Sequence, residues 1–409
     1  MGPQKAFQAV TRKVRGKKEK SSEKFSQDSK LADSKIEGSE TADLDPESSA
    51  QNLQKTSSEK FNTIPEHELK EIREELKDCH KPLFFFHGDP DGLASFLLLY
   101  RMVKEGKGVA VKGQSELDES FFKKVEEYGP DKIFVLDIPV IDANFHEKLV
   151  NSKIPTVWVD HHDPKIMKGI KYYNPRIYDK TAYIPASYVC FEVARSDLWI
   201  GAVGVAGDGL FPPFSDEIRR VYPDLLPQDI RTADEVLLKS RLGELIKVFS
   251  FILNGKTSES NKCVNVLTRI KEPYEILEQS TAAGKFVYQR FAKYNKKFTD
   301  LLKKAEQAEA DEVLTFIYTS DISFTKDLAN EISYKFPDKI IIIGRDKDNE
   351  IKMSMRAKKM IIPPILRKSL EGIDGRGGGH EHACGSVVNK DHFERWLQNF
   401  KVLSKGKNV

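Results

Sequence analysis

The chain has 409 residues, 39% of them hydrophobic and 24 of them Phe, enough to bury a large core and to divide into more than one domain. Its 65 basic residues nearly balance 62 acidic ones for a formal net charge of +3, which excludes a global field for polyanions but is compatible with a local basic groove. The scattered Cys79, Cys190, Cys263 and Cys384 exclude a disulfide framework or thiolate cluster, and with no run of about eighteen apolar residues and no apolar leader a cytoplasmic location with reduced thiols is expected.

Residues 1–62 are rich in Ser, Lys, Glu, Asp and Gln and poor in large apolar residues, a composition that predicts a disordered charged tail. Its first twenty residues carry Lys5, Arg12, Lys13, Arg15, Lys17, Lys18 and Lys20 against Glu19, so it is either a solvated arm or a contact for nucleic acid or an acidic partner. Order is expected from Ile64, with Pro65 opening a helix that carries Leu69, Ile72 and Leu76. Short apolar runs follow at Leu83 to Phe86, Val109 to Val111, Ile133 to Leu136 and Thr156 to Val159, separated by helical segments, the pattern of a parallel α/β sheet. Within it, a helix is expected from Gly92 onward.

Residues 186–254 read as helical, including the small-residue segment Gly201 to Gly207. A long charged helix with Tyr288, Phe291, Tyr294 and Phe298 is expected over 274–309 as a spacer between domains. A second α/β unit begins at Val313, with strands at Val313 to Tyr318, Lys339 to Ile343 and Glu350 to Met355 and a helix from Thr325 to Lys335. It ends in Gly375-Arg376-Gly377-Gly378-Gly379-His380-Glu381-His382-Ala383-Cys384-Gly385 and a last helix, through Trp396 and Phe400, that Asp391 would cap. The fold class is therefore α/β. A parallel-sheet domain (63–255) is joined by a helical linker (256–310) to a smaller α/β domain (311–409).

The chemistry gathers where strands stop. The run Leu83 to Phe86 meets His87, Asp89 and Asp91; Ile133 to Leu136 meets Asp137; Thr156 to Val159 meets Asp160-His161-His162-Asp163. In open parallel sheets ligands bind beyond the carboxyl ends of the strands, so these groups should converge, joined by Asp208 of Gly207-Asp208-Gly209. Like charges about 4 Å apart repel by roughly 4 kcal/mol per pair at an effective dielectric of 20, so such a cluster implies bound cations. Its carboxylates and imidazoles, with no clustered thiolate, suit two ions such as manganese or magnesium.

In this order the motifs resemble the DHH phosphoesterase family, and the Gly-Gly-Gly-His ending resembles the DHH-associated C-terminal domain; the resemblance spans residues from about 80 to about 390. It implies two-metal hydrolysis of phosphodiester or phosphoanhydride bonds, usually with manganese. Members include RecJ exonucleases, nanoRNases, cyclic-dinucleotide phosphodiesterases and the archaeal GINS-associated nuclease. One metal would then take His87, Asp89 and Asp137, and the other Asp91, His161 and Asp208, with Asp137 bridging. Asp160 would orient a histidine, and His162 would face the scissile phosphate. Gly377, Gly378, Gly379 and His380 would form a phosphate cradle, and Arg356 of Ser354-Met355-Arg356 a bidentate clamp. The chain departs from the family's common ending at His382, which has no assigned role, and at Cys384.

Plain alternatives stand beside these readings. His87, Asp89 and Asp91 could form a capped turn, Asp208 an ordinary Gly-Asp-Gly turn, and the glycines a loose loop. Cys190 and Trp158 suit the core, Lys358, Lys359 and Arg376 suit solvent, and Tyr183 and Tyr188 could stack bases or pack. The expected activity is a RecJ-like exonuclease on single-stranded DNA or RNA, with replication proteins of the GINS type as partners if the source is archaeal and no membrane contact. The alternatives are a nanoRNase or small dinucleotide phosphodiesterase, and a replisome scaffold. The scaffold reading is opposed by the complete ligand set. Inorganic pyrophosphatase is opposed by the Gly-rich ending.

Overall fold

The computed structural model describes residues 64–113, 116–308 and 311–406, and the tail predicted over 1–62 lies outside them. In chain order the first half runs α1 (Glu66–Lys77), β1 (Pro82–His87), α2 (Pro90–Val103), β2 (Lys107–Val111), β3 (Glu116–Leu117), α3 (Phe122–Tyr128), β4 (Lys132–Leu136), β5 (Val140–Ile141), α4 (Ala143–Ser152), β6 (Thr156–Val159) and β7 (Ile170–Tyr173). One parallel sheet has the order β2-β1-β4-β6-β7. Alternation along β1 covers both of its faces. Phe84 and Phe86 join the largest core cluster, with Phe86 stacked on Phe96 of α2, while Leu83 and Phe85 join a smaller cluster with Phe145 of α4. A strand buried on both faces reads as an uninterrupted apolar run.

Helices α5 (Ala186–Ala194), α6 (Leu198–Gly207), α7 (Ser215–Val221), α8 (Ala233–Lys239), α9 (Arg241–Ile252), α10 (Thr257–Leu267), α11 (Pro273–Leu277) and α12 (Ala282–Glu306) follow. The stretch expected as one helix over 274–309 is two, because Thr281 caps α12 by accepting from the Gly284 N–H at 3.0 Å. Nor is α12 merely a spacer, since Phe291, Tyr294 and Phe298 are buried in the largest core cluster and Phe298 packs on Phe324.

The last part contains β8 (Val313–Thr319), α13 (Thr325–Lys335), β9 (Ile340–Lys347), β10 (Glu350–Arg356), α14 (Ile362–Ser369), β11 (Gly375–His380), β12 (Ala383–Asn389) and α15 (Phe393–Lys405). Its sheet has the order β11-β12-β10-β9-β8, antiparallel except for the parallel β8–β9 pair. The cap of the last helix differs from expectation: Asn389 accepts from the Asp391 N–H at 3.0 Å to start a single 3-10 turn at Lys390–His392, and α15 follows. Lys247 of α9 pairs with Glu331 of α13, and Lys358 after β10 pairs with Asp234 of α8 at 2.7 Å. Both ion pairs join the C-terminal sheet layer to the helical layer. No helix of the described residues is long and apolar enough to cross a membrane.

Candidate metal centre

The register of the parallel sheet sets the centre. Phe86, Leu136, Val159 and Tyr173 are aligned across four neighbouring strands, so His87, Asp137, Asp160 and Asn174 form the next row at the carboxyl edge. The Asp137 N–H donates to the Val159 carbonyl at 2.9 Å and the Asp160 N–H to the Tyr173 carbonyl at 3.1 Å, which extends the ladder one step. Asp137 holds φ +57°, a left-handed conformation that costs a non-glycine residue energy and recurs at functional sites.

Helix α2 begins at Pro90, two residues before the expected Gly92. Asp89 is its N-cap and accepts from the Gly92 N–H at 3.1 Å, while Asp91 lies in the first turn, where the helix dipole favours an anion. Gly92 is required by close approach, since a Cβ there would stand 2.4 Å from the His87 carbonyl oxygen. Asp91, 1% exposed, also accepts from the Ala186 and Ser187 N–H groups at 3.0 and 2.9 Å and so ties down the start of α5. The small-residue helix α6 brings in Asp208 at its C-terminal end. A Cβ on Gly204 would meet Ser187 and Ala94 at 2.5–2.6 Å, so glycine lets α6 press against α5 and α2.

Two triads result, with ligand atoms within 4.8 Å of one another: His87, Asp89 and Asp137; and Asp91, His161 and Asp208. His87 Nδ1 lies 3.2 Å from Asp89 Oδ2 and 3.5 Å from Asp137 Oδ2. His161 Nε2 lies 3.3 Å from Asp137 Oδ1, 3.6 Å from Asp208 Oδ2 and 3.9 Å from Asp91 Oδ2. Asp137 thus turns one oxygen toward each imidazole. A third triad joins Asp137, His161 and His162. His162 Nδ1 is 2.8 Å from Asp160 Oδ1, and its backbone N–H donates to Asp160 Oδ2 at 3.1 Å.

Protein groups alone leave this cluster too negative. Burial, Asp137 and Asp208 push the Asp91 carboxyl well above its ordinary range, and burial raises that of Asp208 although His161 and Lys326 oppose it. Burial disfavours the charged His161, yet Asp137, Asp208 and Asp91 outweigh it and lift the imidazole to about 10; for His87, Asp89 and Asp137 outweigh burial in the same way. A set of carboxylate oxygens and imidazole nitrogens with this excess negative charge fits hard or borderline divalent cations.

Across from the acids stands the C-terminal half. A cleft in two lobes of about 400 and 480 Å³ runs between them, and both lobes are lined by His161, His162, Tyr183 and His380. Ser354 and Arg356 line the smaller lobe with Asp208, Lys326 and Asn330. Ser354 Oγ is 3.1 Å from Thr325 Oγ1, and Arg356 donates through Nε to Asn330 Oδ1 and through Nη1 to the Met355 carbonyl, both at 2.8 Å. The glycines expected as a phosphate cradle do not form the loose loop that was the plain alternative, for Gly377 to His380 lie in the exposed edge strand β11, paired with β12. Gly379 and His380 line the cleft, joined by Ala383, Cys384 and Gly385 of β12, whereas Gly377 and Gly378 do not. His382 faces away to the Ala357 and Met360 carbonyls at 2.9 and 3.1 Å.

Several residues at the cleft escape sequence reasoning. Lys326 Nζ, at the start of α13, lies 3.6 Å from Asp89 Oδ2. Of the two tyrosines that the sequence left open between stacking and packing, Tyr183 donates to the Asp208 carbonyl and lies edge-on to both His161 and His380, with centroids 6.3 and 6.4 Å away, while Tyr188 is buried packing. Asn174 donates to the His162 carbonyl at 2.9 Å and to the Tyr172 hydroxyl at 2.6 Å; that hydroxyl is 3.3 Å from Asp160 Oδ2. Strand β7, which carries Tyr172 and leads into Asn174, has Lys171 amid its apolar residues and lacks an apolar run. Cys190 and Trp158 are buried as expected, and Lys358 and Lys359 are ion-paired to Asp234 and Asp338.

Residues 323–404 match the DHHA1 domain family. The structure of RecJ in complex with Mn2+ from Thermus thermophilus is similar over 85% of this chain and 56% of that one, at a TM-score of 0.61 and 14% identity. The chain has the RecJ-like DHH fold. A second RecJ structure from the same organism, in complex with Mg2+, is similar at a TM-score of 0.51 and 14% identity over 83% of this chain and 52% of that one. The DHH domain of a member of a ribosomal protein family shares the fold at a TM-score of 0.51 and 13% identity, over 89% of this chain and 97% of that one. The chain thus spans about half the length of the Thermus RecJ chains. No curated protein matches the sequence. In the DHH fold, the two triads stand at the parallel-sheet edge and the DHHA1 domain supplies the opposite wall.

Proposed function

We propose that the chain is a divalent-metal-dependent phosphodiesterase that removes nucleotides from an end of single-stranded DNA or RNA, with residues 63–255 as its catalytic domain, 256–310 as its linker and 311–409 as its substrate-binding domain. The observation that carries the reading is the pair of triads meeting at Asp137 beneath a cleft whose far wall holds Arg356, Lys326 and His380. His87, Asp89 and Asp137 would hold one cation and Asp91, His161 and Asp208 the other; the RecJ structures in complex with Mn2+ and Mg2+ support cations of that kind. When bound, such a pair supplies a water of lowered pKa and stabilises both oxygens of an in-line displacement.

The chain's own groups do the rest. The buried Asp160 fixes the His162 ring by accepting from Nδ1–H, which leaves Nε2 to serve the cleft as an acceptor in the neutral ring and as a proton donor toward the phosphate when the ring is protonated. Arg356, held by Asn330, offers its remaining N–H groups to a second phosphate oxygen. Tyr183 and His380 present ring edges and faces at the junction of the lobes, where a base or sugar can pack. Helix α8 bounds the smaller lobe through Ala233, Asp234 and Leu237, and this wall suits a terminal rather than a continuous strand.

The test is a manganese-dependent assay on labelled DNA and RNA of graded length, with Asp137→Ala as control. Stepwise shortening that stops on chelation is expected. Hydrolysis that survives chelation or the substitution overturns the reading. Activity that vanishes beyond a few nucleotides replaces it with a small-oligonucleotide phosphodiesterase, and tight metal binding without turnover replaces it with a scaffold.

A further inference from the structure

We propose that Lys326 is a substrate-contacting residue, the cation by which the C-terminal half neutralises the phosphate placed over the acid cluster; the inference rests on the phosphodiesterase reading above. Lys326 is the second residue of α13, and its ammonium stands 3.6 Å from Asp89 Oδ2, beyond hydrogen-bonding distance. Among the described residues Asp89 is its ion-pair partner, and the side chain is 49% exposed along the smaller lobe of the cleft. Its three N–H donors are therefore open to a ligand. Cations held by the acids would take up the charge that draws Lys326 toward Asp89, and a phosphate oxygen would then be the strongest acceptor within its reach.

A purely structural tie is the competing explanation, and the fold argues against it. Lys247–Glu331 and Lys358–Asp234 already join the C-terminal half to α9 and α8 by ion pairs at the rim. Lys326 instead sits in the cleft, one helical turn before Asn330, so a single face of α13 carries one cation and positions another, Arg356. The two differ in kind. The guanidinium is a rigid fork fixed by hydrogen bonds, while the lysine is a point charge on a flexible stem, able to follow charge as it grows on an oxygen in the transition state.

The full chain is compared with Lys326→Ala and Lys326→Arg in three measurements: steady-state hydrolysis of a labelled oligonucleotide with Mn2+, calorimetric titration of adenosine monophosphate in the presence of Mn2+, and titration of Mn2+ itself. Lys326→Ala is expected to lower kcat about a hundredfold, the scale of removing one preorganised electrostatic donor. It should weaken adenosine monophosphate about tenfold, the scale of one charge-assisted hydrogen bond, with Mn2+ binding no weaker and the thermal midpoint unchanged. Lys326→Arg keeps the charge and should recover part of both. Unchanged monophosphate affinity and kcat in Lys326→Ala, or losses that track a lower thermal midpoint or weaker Mn2+ binding, overturn the proposal. A wild-type chain that hydrolyses no nucleic acid overturns the phosphodiesterase reading instead, and the monophosphate titration still decides the role of Lys326.

Discussion

The acid cluster and the wall that faces it meet at Tyr183 and His380, yet the fold builds them by different means. Asp91, Asp137 and Asp160 are 1%, 2% and 0% exposed, and strand register and a helix start fix their backbones. Across the cleft, Lys326 rides on the end of a helix with half its side chain exposed, and His380 ends an edge strand exposed along its length. Precision is concentrated where cations would be held, because ligand geometry tolerates little displacement, and adaptability is left where a substrate must enter and leave. The first wall should therefore respond to substitution in an all-or-none way and the second by degrees.

The sharpest way to break this contrast is Asp137→Ala, which removes the carboxylate shared by both imidazoles. Turnover should fall by at least about a thousandfold, as expected when a central preorganised charge is lost. Calorimetry should also show fewer Mn2+ bound per chain. Full stoichiometry with mild loss of rate would mean that the triads do not share this group. Next in size is Asn174→Ala, which frees the Tyr172 hydroxyl and the His162 carbonyl. Loss of such a supporting partner should cost about 10- to 100-fold in kcat, with Mn2+ binding retained because the Asn174 side chain donates to the His162 carbonyl and the Tyr172 hydroxyl and not to the six proposed ligand side chains. If Mn2+ affinity falls in parallel, the rigidity of the acid wall extends further than the register row.

The same contrast explains what could be read from the sequence. His87, Asp137 and His161 were legible because each follows a buried strand, where an apolar run ending in a polar residue marks both the element and the edge it reaches. Asp208 was legible only as an acid after a small-residue helix; that α6 presses against α2 through Gly204 emerges only in three dimensions. Asn174 was missed with its strand, since β7 is an edge strand whose Lys171 breaks the apolar pattern. Lys326 and Asn330 were missed for another reason: a lysine and an asparagine on a charged helix look like solvated residues until the packing of α13 places that face over the cleft. The glycines were legible only in part, for the run read as a phosphate cradle is drawn by pairing with β12 into an extended strand that brings Gly379 and His380 to the cleft and leaves Gly377 and Gly378 outside it.

The adaptable wall is probed by Asn330→Ala. Arg356 would lose the acceptor of its Nε–H but keep its bond to the Met355 carbonyl. KM should rise about tenfold, the scale of one hydrogen bond to a charged group, while kcat changes less because the guanidinium can still find the phosphate. A fall in kcat equal to the fall in kcat/KM would show that Arg356 needs as fixed a geometry as the acids, and the contrast between the walls would fail at that residue.

The smallest expected effect lies behind the acid wall. Glu75 of α1 reaches Lys132 of β4 and Lys171 of β7, and Glu71 accepts from the Tyr173 hydroxyl at 3.0 Å, so α1 clamps the edge strand that ends at Asn174. Burial pushes the Glu75 carboxyl up, but Lys132 and Lys171 outweigh it and hold it below the 4.5 of an unperturbed glutamate. A depressed folded value means that this stabilisation is present above the unfolded pKa and is lost as pH falls through the folded one. Glu75→Gln should therefore cost about 1 kcal/mol in urea unfolding at pH 7, a modest figure because Lys132 keeps its bond to the Glu75 carbonyl and solvent screens the exposed Lys171, and the difference from wild type should close as pH falls through the lowered folded value. If kcat at pH 7 falls as well, β7 transmits strain to Asn174, and the precision of the acid wall depends on α1 as much as on the sheet.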